Sequence, residues 1–256
     1  MDTNDAERVQ LAVGSVVGAR HRRLGRPNQD AAATLRSPHG LALAVCDGCG
    51  SGARSEIGAA LGARLWTVAI AERLADGGAL TAADFDALAT AVLARLATVA
   101  DLLGADRAQV TRDHLLFTSV CAAITDDQVA VVAIGDGVVG LGDDVHVLGP
   151  FEDNAPPYLT EAWFGVTRAP VVWLRARGEL DRLVLATDGA APLVGDALTA
   201  LGASDTTFSN RAALTRRLTL LAEDQVDIDW EQHRTARRAA LLDDDTTLVL
   251  ARWSPS

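Results

Sequence analysis

Basic residues and cysteines are scarce in this chain. The first shortage argues against some classes of binding partner, and the second against a fold built on disulfides. The formal net charge is −11, from 34 acidic and 23 basic residues. Nucleic acids and anionic membranes are bound through basic patches, so this balance argues against both as partners. It favours a site that attracts cations. Three cysteines, an odd and low number, do not make a disulfide framework and indicate a reducing compartment.

Apolar runs long enough to cross a bilayer are also missing, and the polar start "MDTNDAERVQ" does not resemble a signal peptide. We therefore expect a cytoplasmic protein that does not bind membranes. Hydrophobic residues still make up 49% of the chain, which is enough for a core of mostly alanine, leucine and valine. Because there is no internal repeat or obvious linker, we predict one α+β domain over residues 1–256, with residues 1–9 as a flexible tail.

Helical spacing of apolar residues predicts helices over residues 55–75, 211–221 and 231–241. A further helix is expected to open at a capping box formed by Thr81 and Asp84. Two long helices in succession, with no strand between them, argue against a regular alternation of strand and helix.

Short apolar runs separated by turn residues predict the strands. The strands between residues 117 and 148 are joined by short polar turns, which favours an antiparallel meander. Residues 149–169, by contrast, are predicted to form an irregular excursion over the surface. The predicted strands cover residues 11–17, 31–35, 41–46, 117–124, 129–134, 138–141, 145–148, 171–174, 183–187 and 246–253.

Aspartates recur at the ends of the predicted strands. Asp47, Asp136 and Asp188 each follow an apolar run and precede a glycine. Asp30 opens a strand, and a triple aspartate, residues 243–245, precedes the last strand. Carboxylates at strand ends can converge at one sheet edge, and Mg²⁺ and Mn²⁺ prefer such oxygen ligands. Asp-Gly is also among the commonest turn dipeptides, so spacing alone supports a metal site and ordinary turns about equally.

The stretch "AVCDGCGSGARSEIGA" (residues 44–59) holds Asp47 among features of three other site types. A dinucleotide fingerprint is excluded, because Asp47 would place negative charge beside the pyrophosphate and no acidic strand end follows about twenty residues later. A zinc site lacks a second ligand pair at regular spacing. In a redox pair, the anionic neighbour would raise the thiol pKa. We therefore interpret Cys46 as a buried small hydrophobe and Cys49 as an ordinary loop residue.

Together these segments resemble the metal-dependent protein phosphatases of the protein phosphatase 2C family, in particular its bacterial branch. Each motif is short, but five occur in the family's order over nearly the whole chain. They are "PNQDA" (residues 27–31), "AVCDGCGSGARSEIGA" (44–59), "AIGDGVVGL" (133–141), "LATDGAAPL" (185–193) and "DDDTTLVL" (243–250). The resemblance implies a four-layer α-β-β-α sandwich, in which two central antiparallel sheets are flanked by helices.

The resemblance also implies two Mn²⁺ or Mg²⁺ ions at one end of the sandwich. Asp47 would bridge both ions, and the carbonyl of Gly48 would complete one coordination shell. Asp188 and Asp244 would hold one ion, whereas Asp30 would act through metal-bound waters.

Two further carboxylates are implicated by the same resemblance. Asp136, paired with Asp188, would support a weaker third ion, and Asp243 is the alternative to Asp244, which the strand register favours. The implied reaction is in-line attack of a metal-bridging hydroxide on a phosphomonoester, without a phosphoenzyme. The implied catalytic ligands are Asp47, Asp188 and Asp244.

Three positions depart from the family's pattern. Gln29 stands where many members have glutamate, which would weaken the electrostatic hold on one ion. Cys49 stands where eukaryotic members often carry a histidine proposed as general acid, so the leaving alkoxide would be protonated otherwise, for example through a metal-bound water. Gly25 aligns with the family's phosphate-binding arginine. The nearby substitutes are His21, Arg20, Arg22, Arg23 and Arg26, for which a solvated loop is an equally supported interpretation.

The resemblance therefore implies a Mn²⁺- or Mg²⁺-dependent phosphatase, acting as a monomer on phosphoserine or phosphothreonine in proteins, with a cognate serine/threonine kinase. Two alternatives stay open. A catalytically silent phosphatase-like module would bind a phosphoprotein or regulatory partner, but it has no reason to keep carboxylates that repel one another. A small-molecule phosphohydrolase would use the same metals with a deeper pocket. Residues 149–169 lie where such enzymes vary in substrate recognition, so we expect specificity there.

Overall fold

The strands form two five-stranded antiparallel sheets. The computed structural model describes residues 9–104, 106–167 and 169–254. The strands are β1 Gln10–Val16, β2 Asp30–Ser37, β3 Gly40–Gly48, β4 Phe117–Ile124, β5 Gln128–Ile134, β6 Gly137–Leu141, β7 Asp144–Leu148, β8 Val171–Ala176, β9 Arg182–Ala186, β10 Gln225–Asp229, β11 Arg234–Arg238 and β12 Thr246–Arg252. The first sheet has the order β1-β12-β9-β6-β7 and the second β2-β3-β4-β5-β8, while β10 and β11 form a separate hairpin.

Helices account for the other regular elements of the described residues. The predicted capping box of Thr81 and Asp84 is present where the second long helix begins. Short 3-10 helices lie at Glu152–Asn154, Leu159–Phe164 and Asp188–Leu193. The α-helices are α1 Ala19–Leu24, α2 Glu56–Ala75, α3 Ala82–Leu103, α4 Arg107–Val110, α5 Asp196–Ala203, α6 Asp205–Ser209 and α7 Ala213–Leu221.

Three buried apolar clusters fill the spaces between the layers. The side chains of β3 alternate between two of these clusters. Leu43 on one face of β3 joins Leu185 and other residues between the two sheets. Ala44 on the opposite face packs with Trp66 of α2 and Phe85 of α3. A third cluster lies between the first sheet and α5 and α7. The four-layer α-β-β-α sandwich is therefore confirmed.

The four strands between residues 117 and 148 do not form the predicted meander. β4 and β5 pair with each other, but β6 pairs with β7 and β9 in the other sheet. The chain changes sheets at Gly135 and Gly137, whose φ angles of 92° and 142° favour glycine. Asp136 lies between them, so this change of sheet places its carboxylate where the two sheets meet.

The helix predicted over residues 231–241 is wrong, because that segment contains the turn and second strand of the β10–β11 hairpin. In the turn, the Asp229 carboxylate accepts hydrogen bonds from the N–H groups of Glu231 and Gln232, at 3.1 and 3.0 Å. This side-chain-to-backbone bonding offers the chain a turn in place of a helix. Helices α1, α4, α5 and α6, in contrast, were not predicted, and α1 lies in the basic segment that was interpreted as a loop.

No single helix among the described residues is long and apolar enough to cross a membrane. The α3 helix and residues 107–115 meet the criterion of length and composition only as a pair bent by 110°. The predicted tail, residues 1–9, lies outside the described residues except for Val9, which is buried with the cluster between the sheets.

Helix α2 can lie close to β4 because it has a glycine, Gly62, at the point of contact. This close contact predicts how substitutions of glycine change stability. A Cβ atom at Gly62 would lie 2.3 Å from the buried Phe117 ring. Gly62→Ala should lower the free energy of unfolding by about 1–3 kcal/mol, because overpacking outweighs the gain in helix propensity. In the control Gly202→Ala, on α5, the new Cβ meets nothing within 4 Å, so stability should rise by up to about 1 kcal/mol. Equal effects in urea denaturation would contradict this packing.

Candidate functional site

Strand ends from both sheets meet at one end of the sandwich. Asp30, which opens β2, is paired directly with Asp47 near the end of β3. Asp188 follows β9, and Asp244 lies two residues before β12. The Asp47 carboxyl lies within hydrogen-bonding reach of both Asp30 and Asp188. The predicted convergence of these carboxylates is therefore present in the fold.

These carboxylates line a small pocket of about 80 Å³. Asp47, Asp136, Asp188 and Asp244 face it together, whereas Asp30 contacts Asp47 without forming part of the wall. The other residues of the wall are Arg20, His21, Gly48, Cys49, Gly50, Thr118, Pro156, Tyr158 and Asp245.

Burial and mutual repulsion raise the pKa of these carboxyls. Removal from water is the main cause, and it raises the pKa of Asp30 to about 8 and that of Asp136 to about 6. The pKa of Asp47 is raised well above its usual range, by burial and then by the charges of Asp30, Asp188 and Asp136. Burial also raises the pKa of Asp188. Anionic carboxylates at these positions therefore need a compensating cation.

The donor set fits divalent metal ions. Buried Oδ1 atoms of Asp30 and Asp136 accept no hydrogen bond from any described residue. Buried acceptors are normally satisfied, so these oxygens are free to act as ligands for an ion or its waters. Hard cations such as Mn²⁺ and Mg²⁺ take several carboxylate and carbonyl oxygens, which is the chemistry that the pocket offers.

The three consecutive aspartates have three different environments. Asp243 is exposed and pairs with Arg23 at 2.6 Å, outside the pocket. Asp244 lines the pocket and pairs with Arg20 at 2.6 Å. Asp245 is only 3% exposed. The fold thus brings Asp244, rather than Asp243, to the other carboxylates.

Asp245 acts as a clamp, meaning that its carboxylate holds three other residues in place. The sequence did not indicate this role. Its Oδ1 accepts the N–H of Gly18 at 2.8 Å, and its Oδ2 accepts the N–H of Gln29 at 2.7 Å. The same Oδ2 lies 2.8 Å from Nδ1 of His21. His21, Asp244 and Asp245 offer ligand atoms within 4.8 Å of one another, but those of Asp245 are already engaged. The only signal in the sequence was its place in the triple aspartate.

The basic residues suggested as phosphate ligands separate into two groups. Arg20 and His21, on α1, line the pocket. Arg22 instead donates to the carbonyl of Ala222, away from the pocket. Arg26 borders a neighbouring groove rather than the pocket itself. The structure therefore leaves Arg20 and His21 as the two that can reach a phosphate among the carboxylates.

Glycines allow the backbone segments of the site to approach closely. A Cβ atom at Gly48 would lie 2.7 Å from the carbonyl oxygen of Gln29 and 2.8 Å from that of Ser55. A Cβ atom at Gly189 would lie 1.9 Å from the carbonyl oxygen of Asp245. The Gln29 side chain donates to the Ser55 hydroxyl at 2.7 Å and does not line the pocket. Its position is explained by this link to the start of α2.

A threonine that the sequence did not indicate joins the two sheets at the site. The Thr187 hydroxyl donates to Oδ2 of Asp30 at 2.7 Å and accepts the N–H of Thr247 at 3.0 Å. It thus connects β12 and the end of β9 to the first residue of β2. The only signal available was its position directly before Asp188.

The two cysteines of the C-x-x-C have different roles. Cys46 is buried, as interpreted, and burial raises the pKa of its thiol to about 12. Cys49 lines the pocket, so it is more than an ordinary loop residue. Its thiol lies 3.1 Å from the Ser51 hydroxyl and within hydrogen-bonding reach of Tyr158. Burial opposes ionisation of Cys49, but these hydrogen bonds outweigh it and lower the pKa of the thiol.

The family model of protein phosphatase 2C matches residues 17–250, so the chain belongs to this family. The match includes every aspartate of the pocket and both basic residues of its wall. No curated protein matches the chain significantly.

Solved structures with a similar fold include bacterial serine/threonine phosphatases. Stp1 from Staphylococcus aureus has a TM-score of 0.64 at 14% identity, covering 99% of this chain and 98% of that chain. PppA, described as a key regulatory component of T6SS in Pseudomonas aeruginosa, has a TM-score of 0.57 at 18% identity over 96% and 98%. The catalytic domain of PstP in complex with two manganese ions has a TM-score of 0.56 at 20% identity, over 95% and 97%.

The clamp formed by Asp245 gives a prediction with a matched control. Asp245→Asn should lower the free energy of unfolding by about 1–3 kcal/mol, because its amide group cannot accept all three hydrogen bonds. Asp243→Asn removes only an exposed ion pair and should change stability by about 0–1 kcal/mol. Both variants are compared by urea denaturation without added metal. If Asp245→Asn costs no more than Asp243→Asn, Asp245 is not a clamp.

Proposed function

We propose that this protein is a Mn²⁺- or Mg²⁺-dependent phosphatase that hydrolyses phosphoserine and phosphothreonine in proteins. The observation that carries the proposal is the convergence of Asp47, Asp136, Asp188 and Asp244 in one pocket, with Asp30 in contact behind Asp47. Membership of the phosphatase 2C family supports it.

Each carboxylate has a distinct place in the proposed centre. Asp47 contacts both Asp30 and Asp188, so it suits a bridging position between two ions. Asp188 and Asp244 would hold one ion, the carbonyl of Gly48 would contribute to the shell, and Asp30 would act through bound water. When present, such ions lower the pKa of bound water and neutralise charge on the phosphate.

Arg20 and His21 would bind and orient the phosphate. The Arg20 guanidinium already lies against a carboxylate, Asp244, at the edge of the pocket. Its planar fork suits bidentate contact with phosphate oxygens. His21 is held by Asp245 through Nδ1, which fixes the orientation of its ring beside the same pocket. A phosphate bound there would therefore meet donors on α1 beside the carboxylates.

A third ion near Asp136 is part of the proposal. This carboxyl is repelled by the charges of Asp188 and Asp244, and one of its buried oxygens has no donor. An additional cation beside Asp136 would relieve both conditions. The solved PstP catalytic domain, in complex with two manganese ions, supports the choice of Mn²⁺ for the main pair.

The experiment is hydrolysis of a phosphothreonine peptide with and without Mn²⁺. The wild type should release phosphate only with the metal, and Asp47→Asn and Asp244→Asn should each lose at least about 100-fold in kcat/KM. Even residues that merely support a metal ligand cost about 10- to 100-fold when changed. Asp243→Asn, which alters only an exposed ion pair, should stay close to wild type.

The outcomes separate the competing assignments. Activity that survives in Asp47→Asn would refute the bridging role, and loss confined to Asp243→Asn would favour that residue over Asp244. If a folded protein that binds Mn²⁺ released phosphate neither from peptides nor from small phosphomonoesters, the enzyme would be refuted and the silent binding module favoured. Hydrolysis of small phosphomonoesters alone would favour a small-molecule phosphohydrolase.

A further inference from the structure

The chain's single tyrosine, Tyr158, lines the pocket of carboxylates described above (the metal pocket) and two further cavities. Its phenol lies within hydrogen-bonding reach of Cys49 in the metal pocket. The same residue also lines a separate cavity, to which Pro157, Val166 and Pro170 contribute. The two cavities are therefore neighbours that share Tyr158 as a lining residue.

The cavity beyond Tyr158 is largely apolar and has a volume of about 280 Å³. Helix α3 contributes Ala89 and Leu93, and β5 contributes Ile134 at its end. The opposite wall includes Leu159 and other apolar residues of the irregular segment. This volume is close to the lower end for small-ligand sites and is ample for one aliphatic side chain.

Hydrogen bonds fix the short helix Leu159–Phe164, which contributes to one wall of this cavity. Leu159 is 7% exposed, and the neighbouring Thr160 is fully buried, with its hydroxyl donating to the carbonyl of Leu115 at 2.9 Å. The N–H of Tyr158 is bound by the Glu161 carboxylate at 3.0 Å, which fixes the start of this short helix. The cavity is thus preformed, so a ligand would enter it without the cost of ordering its wall.

A partly basic groove also adjoins the metal pocket. It has a volume of about 620 Å³ and is bordered by Arg20, Arg26 and Ser51, and again by Tyr158. A chain that places a phosphate at the carboxylates would therefore have both a partly basic groove and the apolar cavity beside it, each bordered by Tyr158. Such flanking grooves suit an extended peptide.

We propose that the apolar cavity is a substrate subsite that receives a large aliphatic side chain of the phosphoprotein, close to the phosphorylated residue. This rests on the proposed function. The occupant is a peptide side chain because the cavity adjoins the metal pocket at Tyr158, which lines both. An extended chain advances about 3.3–3.6 Å per residue, so a side chain one to three residues away reaches past a single tyrosine.

The charges of the cavity indicate which side chains it excludes. Among the described residues of its wall, those that ionise apart from Tyr158 are Asp86 and Glu161, both acidic. A glutamate or aspartate of the substrate would meet like charge there and would lose water as well. The subsite therefore selects for leucine-like residues and against acidic ones at the same position of the substrate.

The test is a set of phosphothreonine peptides in an alanine background, with leucine or glutamate placed at each flanking position in turn. The kcat/KM of each is measured with Mn²⁺ and divided by that for 4-nitrophenyl phosphate. We expect one position, on one side of the phosphothreonine, where leucine exceeds alanine by about tenfold or more and glutamate falls below alanine.

Two variants of α3 provide matched controls. Ala89→Leu would fill the cavity and should reduce the leucine preference to within about twofold of alanine. Ala87→Leu makes the same change on the exposed side of the same helix and should keep the wild-type preference. Circular dichroism would establish whether each variant is folded. If Ala89→Leu does not fold, the peptide series with the wild-type protein still tests the proposal.

The outcomes distinguish this inference from the function on which it rests. Metal-dependent hydrolysis with no leucine preference at any position would overturn the subsite and leave the phosphatase intact. An undiminished preference in folded Ala89→Leu would also overturn it. Hydrolysis of 4-nitrophenyl phosphate but of no peptide would instead overturn the protein phosphatase itself.

Discussion

Repulsion among buried carboxylates is the constraint on which the site depends. Asp30, Asp47, Asp136 and Asp188 are forced together by the ends of strands from both sheets, so burial and neighbouring charge raise the pKa of each. The folded protein then holds more protons than the unfolded chain at pH values between the usual aspartate pKa of 3.8 and these raised pKa values. Its stability without metal must fall as pH rises through about 6 and towards 8, the values for Asp136 and Asp30. Divalent cations would remove this cost.

The fold tolerates this repulsion because the segments that carry the carboxylates are fixed by other contacts. Asp245 holds Gly18, His21 and Gln29 through three hydrogen bonds, all shielded from water. Thr187 connects the strands of the first sheet to Asp30 in the second. The layers of aliphatic side chains on both faces of each sheet keep the strand ends in register. These contacts preorganise the segments that carry the carboxylates.

Much of the fold was predictable because strands and long helices follow from apolar spacing, and β3, α2 and β12 lie close to their predicted positions. The carboxylates were found because strand ends of one sandwich converge. The predicted meander was wrong because β6 pairs with β9, a strand distant in sequence, instead of with β5. The two glycines around Asp136 redirect the chain into the other sheet. The helix at 231–241 failed because the local hydrogen bonds of Asp229 favour a turn. Tyr158 reaches the site from an irregular segment, and such positions carry no periodic signal.

The most direct test of the central constraint is the number of protons released when Mn²⁺ binds. Calorimetric titrations in buffers of different ionisation enthalpy give this number at each pH, with Asp47→Asn as the control. At pH 7 the raised pKa values predict release of roughly one proton or more per protein, because the metal displaces protons held by the carboxyls. Release should decline above the pKa of about 8 at Asp30. Tight binding without proton release near neutral pH, or no binding at all, would contradict the proposed metal centre.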